Sequence, residues 1–325
     1  MSDSKVRRIG VLTSGGDAPG MNAAVRSVVH SARSFGISVI GIRRGYAGLL
    51  SLDLKELEGE DVNHLLPLGG TALFTARCDE MKTPQGLEKA ANTCRHMGID
   101  GLIVAGGDGS FRGALALAEH GIKVIGIPAT IDNDIGKTEY SIGFDTACNT
   151  AIEAVDKLRD TMQSHERCSV VEVMGRHAGH LALQVGVSVG ACCVLLPERA
   201  VDMQEDVIEK IRSARLRGRR HHIVVVAEGY GHASAVAQQI EEFTGLEARL
   251  TILGHIQRGG APSMYDRIVA TQMGYHAVGL LAAGQERRAV GLIGGHITDL
   301  AIDDFLGAKR DLDQFLFDVS QTVVG

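Results

Sequence analysis

Leu102-Ile103-Val104-Ala105-Gly106-Gly107-Asp108-Gly109-Ser110 sets an apolar run directly against a turn rich in glycine and aspartate. A short apolar run that ends in a turn signal reads as a parallel strand buried on both faces. The pattern occurs twice more: residues 9–12 lead into Thr13-Ser14-Gly15-Gly16-Asp17, and residues 124–127 lead into Pro128-Ala129-Thr130-Ile131-Asp132-Asn133-Asp134. Loops at the carboxyl ends of such strands line the ligand crevice of an open α/β sheet, so three of them can face one molecule. Glycines admit phosphate oxygens to backbone N–H groups, while Asp108, Asp132 and Asp134 supply hard oxygen ligands and a base. The expected ligand is an anion held together with a metal.

Outward from these turns, strand and helix patterns alternate along the chain. Met21, Ala24, Val25, Val28, Val29 and Ala32 keep helical spacing, which puts the first turn before a helix amino end, where the dipole favours an anion. A second helix is expected to open near Ser110, and Ala147, Ala151, Ala154, Val155, Leu158 and Met162 mark a long amphipathic one. Further strands are expected at residues 170–173, 193–196, 223–227 and 251–253. The apolar stretch from Leu181 to Leu196, broken by Gln184, Ser188 and glycines, reads as a buried helix and a strand rather than a membrane span. With no internal repeat and no Pro/Ser linker, the pattern predicts two doubly wound three-layer α/β domains with mostly parallel sheets and a cleft between them.

A length of 325 residues with 45% hydrophobic residues and 41 glycines suits such a globular enzyme. Aromatic residues make up 4%, Trp is absent and the net charge is -6, so nucleic acid is not an expected partner. The six cysteines show no C-x-x-C spacing and read as reduced, buried thiols of a cytoplasmic protein. The first eight residues are polar and charged, unlike a signal peptide, and no membrane contact is expected. His177 and His180 lack a third ligand nearby and read as non-metal residues.

Gly107-Asp108-Gly109 is not a Walker A loop, because no G-K-[ST] follows it; charge neutralisation must come from other cations. Asp132 and Asp134 lie two residues apart, so an extended backbone points both to one side. At ~6 Å and an effective dielectric near 20 they repel by roughly 3 kcal/mol, which a divalent cation or a shared proton relieves. Arg77, Arg167, Arg176, Arg249 and Arg258 fall at expected element ends and suit bidentate phosphate contact. A basic run, Arg212, Arg215, Arg217, Arg219, Arg220, His221 and His222, closes an expected helix and reads either as a solvated face or as a second anion site.

Residues 10–24 (GVLTSGGDAPGMNAA), 106–110, 130–134, 170–176 and 253–260 together resemble the bacterial ATP-dependent 6-phosphofructokinase family over nearly the whole chain. The resemblance implies a homotetramer that transfers the γ-phosphoryl of MgATP to the 1-hydroxyl of fructose 6-phosphate, giving fructose 1,6-bisphosphate and ADP, the committed step of glycolysis. It implies a larger ATP-binding domain over residues 1–142 plus about 256–306, and a smaller sugar-phosphate domain over 143–255 plus about 307–325. Carried over by residue, Gly16, Tyr46, Arg77 and Cys78 bind ATP together with Gly107, Asp108, Gly109 and Ser110, and Asp108 also holds Mg²⁺. Asp132 is the implied base, supported by Thr130 and Asp134, and Arg176 stabilises the transferring group. The sugar phosphate falls to Thr130, Ile131 and Asp132, to Met174, Gly175, Arg176 and Glu228, and to His255, Ile256, Gln257 and Arg258. Arg167 and Arg249 join them from a neighbouring subunit.

Cys78 stands where many relatives carry an aromatic, which alters adenine packing. Arg26, Arg159, Arg217, Arg219, Arg220 and His221 match the family's effector pocket, but His30, Gly59 and Cys192 replace two arginines and a glutamate. Weakened or altered regulation by ADP or phosphoenolpyruvate follows from the resemblance. Gly109 and Ala129 are small where pyrophosphate-dependent relatives place aspartate and lysine, which favours ATP. The alternatives are a pyrophosphate-dependent enzyme, a NAD or lipid kinase sharing the Gly-Gly-Asp-Gly loop, and a phosphometabolite sensor without catalysis.

Overall fold

The structure is a computed structural model that describes residues 6–323. Most of the stretch read against a signal peptide, residues 1–5, and the last two residues of the expected smaller domain lie outside the described residues. The strands, in chain order, are β1 (Arg8–Thr13), β2 (Ser38–Ile42), β3 (Leu54–Leu57), β4 (Gly101–Gly106), β5 (Lys123–Pro128), β6 (Cys168–Val173), β7 (Cys193–Leu195), β8 (His222–Ala227), β9 (Ala248–Ile252), β10 (Arg288–Ile293) and β11 (His296–Ala301). The chain divides into two compact units: one runs to Thr146 and resumes over Arg258–Arg310, and the other comprises Ala147–Gln257 and the segment from Asp311 onward.

The first unit holds a seven-stranded sheet in the order β11-β10-β5-β4-β1-β2-β3. Its five inner strands pair in parallel, and β3 and β11 close the two edges antiparallel. Successive side chains of a strand face opposite layers, and the sequence obeys this on both sides. Leu102 and Val104 join Phe111, Ala114 and Leu117 in one core, where the Phe111 and Phe305 rings meet edge-to-face at 6.0 Å. The helices Met21–Ser34 and Met264–Ala282 pack on each other, and both also contact the sheet. Because the chain leaves β1 for β2 on one side and later occupies β4 on the other, the strand order reverses between β1 and β4. That reversal opens a crevice at the carboxyl ends of the strands.

The second unit carries a wholly parallel sheet in the order β7-β8-β6-β9. Its long helix, Phe144–His165, and the helix His180–Ser188 followed by β7 agree with the sequence pattern. The strand expected at 251–253 is corrected to Ala248–Ile252; Leu253 lies past its end and donates its N–H to the Glu172 carbonyl oxygen at 3.1 Å. The basic run is also corrected. Its helix, Glu209–Leu216, ends before Arg217, and His222 is buried as the first residue of β8 rather than part of a solvated face. Among the described residues no helix is long and apolar enough to cross a membrane.

Candidate active site

In the larger unit, strand register brings the three glycine and aspartate turns side by side. Thr13 pairs with Ala105 and Gly106 pairs with Pro128, so β1, β4 and β5 end in line. Backbone bonds then stitch the loops together: Ser14 N–H donates to Ala105 O at 2.9 Å and Ala129 N–H to Gly106 O at 3.0 Å. Gly106 serves this packing, since a Cβ there would collide with the Ser14 carbonyl and the Ser110 side chain.

Gly107 and Gly109 need another explanation. Gly107 has φ -94, which any residue adopts, and Gly109 is an ordinary residue in the first turn of the helix Asp108–Glu119. A Cβ on Gly107 would find only Thr130 Cβ, at 4.0 Å, and one on Gly109 would find nothing within 4 Å. Neither the backbone nor the packing asks for glycine, so the bare surface fits something brought from outside the chain. The first turn of that helix adds N–H groups and a dipole that favour an anion. Tyr46 is buried rather than presented at this surface: its Oη donates to Ser110 O at 2.5 Å, its ring lies against Gly113, and burial pushes its phenol pKa upward. It therefore supports the start of the helix from beneath.

The segment carrying Arg77 is held against the first loop. Thr13 Oγ1 lies 2.7 Å from Thr71 Oγ1 and donates to Phe74 O at 3.0 Å, and Thr75 Oγ1 donates to Gly15 O at 2.6 Å. Arg77 is exposed, whereas Cys78 packs on the core edge. Arg258, grouped with the sugar-phosphate residues from sequence, lies at the first loop: it donates to Asp17 O at 3.4 Å and covers Gly16, where a Cβ would strike its guanidinium.

The third loop corrects the expected extended geometry of Asp132 and Asp134. Residues 131 and 132 form a turn and Asn133 has φ 51, so the two carboxylates are not set on one side by a strand pleat. Asn133 stabilises this left-handed residue through its side chain, accepting from Ser141 N–H at 2.8 Å, while Ser141 Oγ donates to Thr130 O at 2.6 Å. Asp132 is 6% exposed and its N–H donates to Thr130 Oγ1 at 3.2 Å. Ile131 is wholly buried, and Asp134 is only partly so. The bracing residue Ser141 was not singled out from sequence; the only signal for it was an Asn between two aspartates in need of a partner. Among the described residues no three His, Cys, Asp or Glu converge on a metal position. A Mg²⁺ carried on phosphates needs only one or two carboxylates, a donor set that these loops contain.

In the smaller unit, carboxyl-end loops also meet. Met174 N–H donates to Gln257 Oε1 at 2.9 Å, and Arg176 N–H donates to Glu228 Oε1. Arg176 has φ 57 and Gly175 φ 136, a tight exit from β6 that turns the Arg176 side chain outward into solvent. Burial and the neighbouring Glu228 raise the Glu172 pKa beneath this loop. His255 and Ile256 are exposed, whereas Gln257 is fully buried and so positions Met174.

Arg167 and Arg249 do not join this group. Arg167 precedes β6 and Arg249 is the second residue of β9, inside the strand rather than at its far end. Both pair with Glu247, Arg167 Nε to Oε2 at 2.5 Å and Arg249 to Oε1. Both lie toward the amino ends of the paired strands β6 and β9, whereas Met174 and Arg176 follow the carboxyl end of β6, roughly 20 Å from Arg167 for six residues at about 3.3 Å each. Glu247, which gathers the two guanidinium groups, was missed from sequence.

The residues matched to an effector pocket fall in both units. Arg26 borders a cavity of about 560 Å³ with His30, Tyr275 and His296, and a Cβ on Gly59 would lie 3.2 Å from the His30 ring. In the smaller unit Arg159 donates to Val189 O, Arg220 pairs with Glu166 at 2.8 Å, and Arg217 and Arg219 are exposed. Burial, then Arg159 and Arg219, hold the His221 imidazole below its usual pKa.

These features define an α/β protein with a bare glycine cradle at the switch point of a parallel sheet. The phosphofructokinase family profile matches residues 8–281. An ATP-dependent 6-phosphofructokinase of Clostridium botulinum (strain Loch Maree / Type A3) is 51% identical over 315 residues, 97% of this chain and 98% of that one. Its counterpart in Clostridium novyi (strain NT) is 48% identical over 316 residues, 97% and 99% of the two chains. The phosphofructokinase structure from Saccharomyces cerevisiae superposes with a TM-score of 0.88 at 36% identity, over 93% of this chain and 45% of the yeast chain. A pyrophosphate-dependent phosphofructokinase from Marinobacter aquaeolei gives 0.86 at 22% identity, over 98% and 92%, a likeness of fold alone. The chain belongs to the phosphofructokinase family.

Proposed function

We propose that the protein transfers the γ-phosphoryl group of MgATP to the 1-hydroxyl of fructose 6-phosphate, giving fructose 1,6-bisphosphate and ADP in the committed step of glycolysis. The observation that carries this reading is the pair Gly107 and Gly109, bare of side chains where neither conformation nor packing requires it. The ATP-dependent relatives at 51% and 48% identity support it.

In this reading the N–H groups around Gly107, Asp108 and Gly109, with Gly16 and Ser110, hold the phosphates, and Arg77 and Cys78 flank the nucleotide. Asp108 would hold a Mg²⁺ brought in on the phosphates, and that ion would supply charge neutralisation there. Asp132 accepts the proton of the 1-hydroxyl as that oxygen attacks, and Thr130 and Asp134 keep its turn in place. Arg176 offsets charge on the transferring group, while Met174, Gly175, Glu228, His255 and Arg258 hold the sugar phosphate. Positioning and charge neutralisation supply most of the rate in such transfers.

The separation of Arg167 and Arg249 from Arg176 along one sheet supports a site shared between subunits, since roughly 20 Å is too far for one sugar phosphate to be gripped by both groups of a single chain. A homotetramer provides the second copy. Met264, Ile268 and Tyr275, 69%, 47% and 61% exposed on one helix, give an apolar stripe suited to such assembly. Six cysteines without a disulfide suit a cytoplasmic setting.

The donor is tested by initial rates with fructose 6-phosphate and either nucleotide or pyrophosphate. Buried Ala129 has no room for a lysine head group, and the open surface at Gly109 leaves space for the longer donor. We expect kcat/KM to favour MgATP by at least about 100-fold. Equal or better turnover with pyrophosphate would assign the chain to the other donor class.

A further inference from the structure

The amino ends of the smaller unit's strands gather a set of groups that the reaction does not use. Cys168, the first residue of β6, pairs in register with His222, the first of β8. Cys192 N–H donates to Ile223 O at 2.8 Å, which places Cys192 and Cys193 beside the same strand. Cys168, Cys192, Cys193 and His222 are 0%, 4%, 4% and 1% exposed. Neither imidazole nitrogen of buried His222 has an oxygen or nitrogen partner, and what stands within hydrogen-bonding reach of the ring is the Cys192 thiol.

Cys192 differs from the other two thiols in having a way out. It borders a cavity of about 330 Å³ whose wall includes Glu205, Glu209, Lys210 and Arg217, all at or near the surface. The single Cys193 S–H has two acceptors within reach, Asp206 O at 3.3 Å and the Cys192 sulfur. Hydrogen bonding by Cys193, opposed by burial and aided by His222 and Arg219, holds the Cys192 thiol below the usual thiol range. Cys193 is pushed up by the same hydrogen bond and by burial, and Cys168 by burial and by Cys192.

We propose that Cys192 is a reactive thiol, modified covalently by small uncharged electrophiles such as hydrogen peroxide that enter through this cavity, with His222 as its base. With peroxide, the Cys192 proton passes to a His222 nitrogen and the thiolate sulfur bonds to one peroxide oxygen as the O–O bond breaks. The departing hydroxide takes the proton back from His222 and leaves as water. Sulfur gives up two electrons, peroxide accepts them, and Cys192 becomes a sulfenic acid. The added oxygen stands in the cavity that Lys210 and Arg217 line.

The test uses the full chain, limiting iodoacetamide between pH 5.5 and 9, and mass analysis of the cysteine peptides. Half-buried Cys78 serves as the accessible protein thiol, glutathione as the free one, and Cys94, fully buried and pushed up to about 12 by burial, as the inert one. Cys192 is expected to alkylate at least about tenfold faster than Cys94 at pH 7, with a pH profile displaced below that of glutathione. Peroxide followed by dimedone is expected to tag Cys192, and His222→Asn to slow its alkylation about tenfold. Cys192 reacting no faster than Cys94, or with the pH profile of glutathione, overturns the proposal. So does labelling that appears only in denaturant, and these wild-type results hold whether or not the variant folds.

Discussion

Asp132→Ala is expected to lower kcat by about three to four orders of magnitude while MgATP binds within about twofold of its normal affinity. The large effect follows from the place of the carboxylate. Asp132 is 6% exposed in a turn braced by Asn133, Ser141 and Thr130, so water cannot readily stand in for it with a comparable orientation. Nucleotide affinity is spared because the glycine cradle belongs to another loop, after β4, whose helix start is supported independently by Tyr46. A coupled assay gives kcat, and calorimetric titration with MgATP gives the affinity. Turnover within tenfold of the unsubstituted chain would remove Asp132 from the role of base, and joint loss of turnover and affinity would place it among the nucleotide contacts instead.

Gly107→Val is expected to cost kcat/KM for ATP at least about 100-fold with little loss of stability. At φ -94 and ψ -166 a β-branched residue meets no backbone strain, and its Cβ touches nothing nearer than Thr130 Cβ at 4.0 Å. Its methyl groups would instead occupy the surface against which phosphate oxygens are meant to rest. Denaturant unfolding is expected to shift by about 1 kcal/mol or less, the usual scale for an apolar residue at a helix N-cap. Gly106→Val provides the contrast: its side chain must displace the Ser14 carbonyl, so stability falls together with activity. Unimpaired ATP kinetics in Gly107→Val would mean that the bare surface is not a phosphate site.

Much of the larger unit's core was legible because strands covered on both faces are almost wholly apolar, as β4 and β5 are, and each leads into a conspicuous turn, rich in glycine after β4 and in aspartate after β5. β2 and β10 were harder to read because no comparable glycine and aspartate turn follows either of them, and their own glycines are set by packing: a Cβ on Gly41 would lie 2.7 Å from Leu57, and one on Gly291 3.2 Å from Phe305. These glycines answer to neighbours far along the chain. The edge strands β3 and β11 are only partly covered and so lack the continuous apolar signal. At the site, the identities of the acidic residues were readable but the geometry at Asp132 was not, since the left-handed Asn133 depends on Ser141 eight residues on. The division of arginines between opposite ends of one sheet follows from strand polarity and the order β7-β8-β6-β9, neither of which local patterns encode.

The most direct measurement is phosphorus NMR of the unsubstituted chain with MgATP and fructose 6-phosphate. Fructose 1,6-bisphosphate and ADP are expected to accumulate in equal amounts, with no inorganic phosphate appearing in step with them. ADP and inorganic phosphate formed while the sugar monophosphate stays intact, or no turnover in the presence of both substrates, would contradict the proposed transfer.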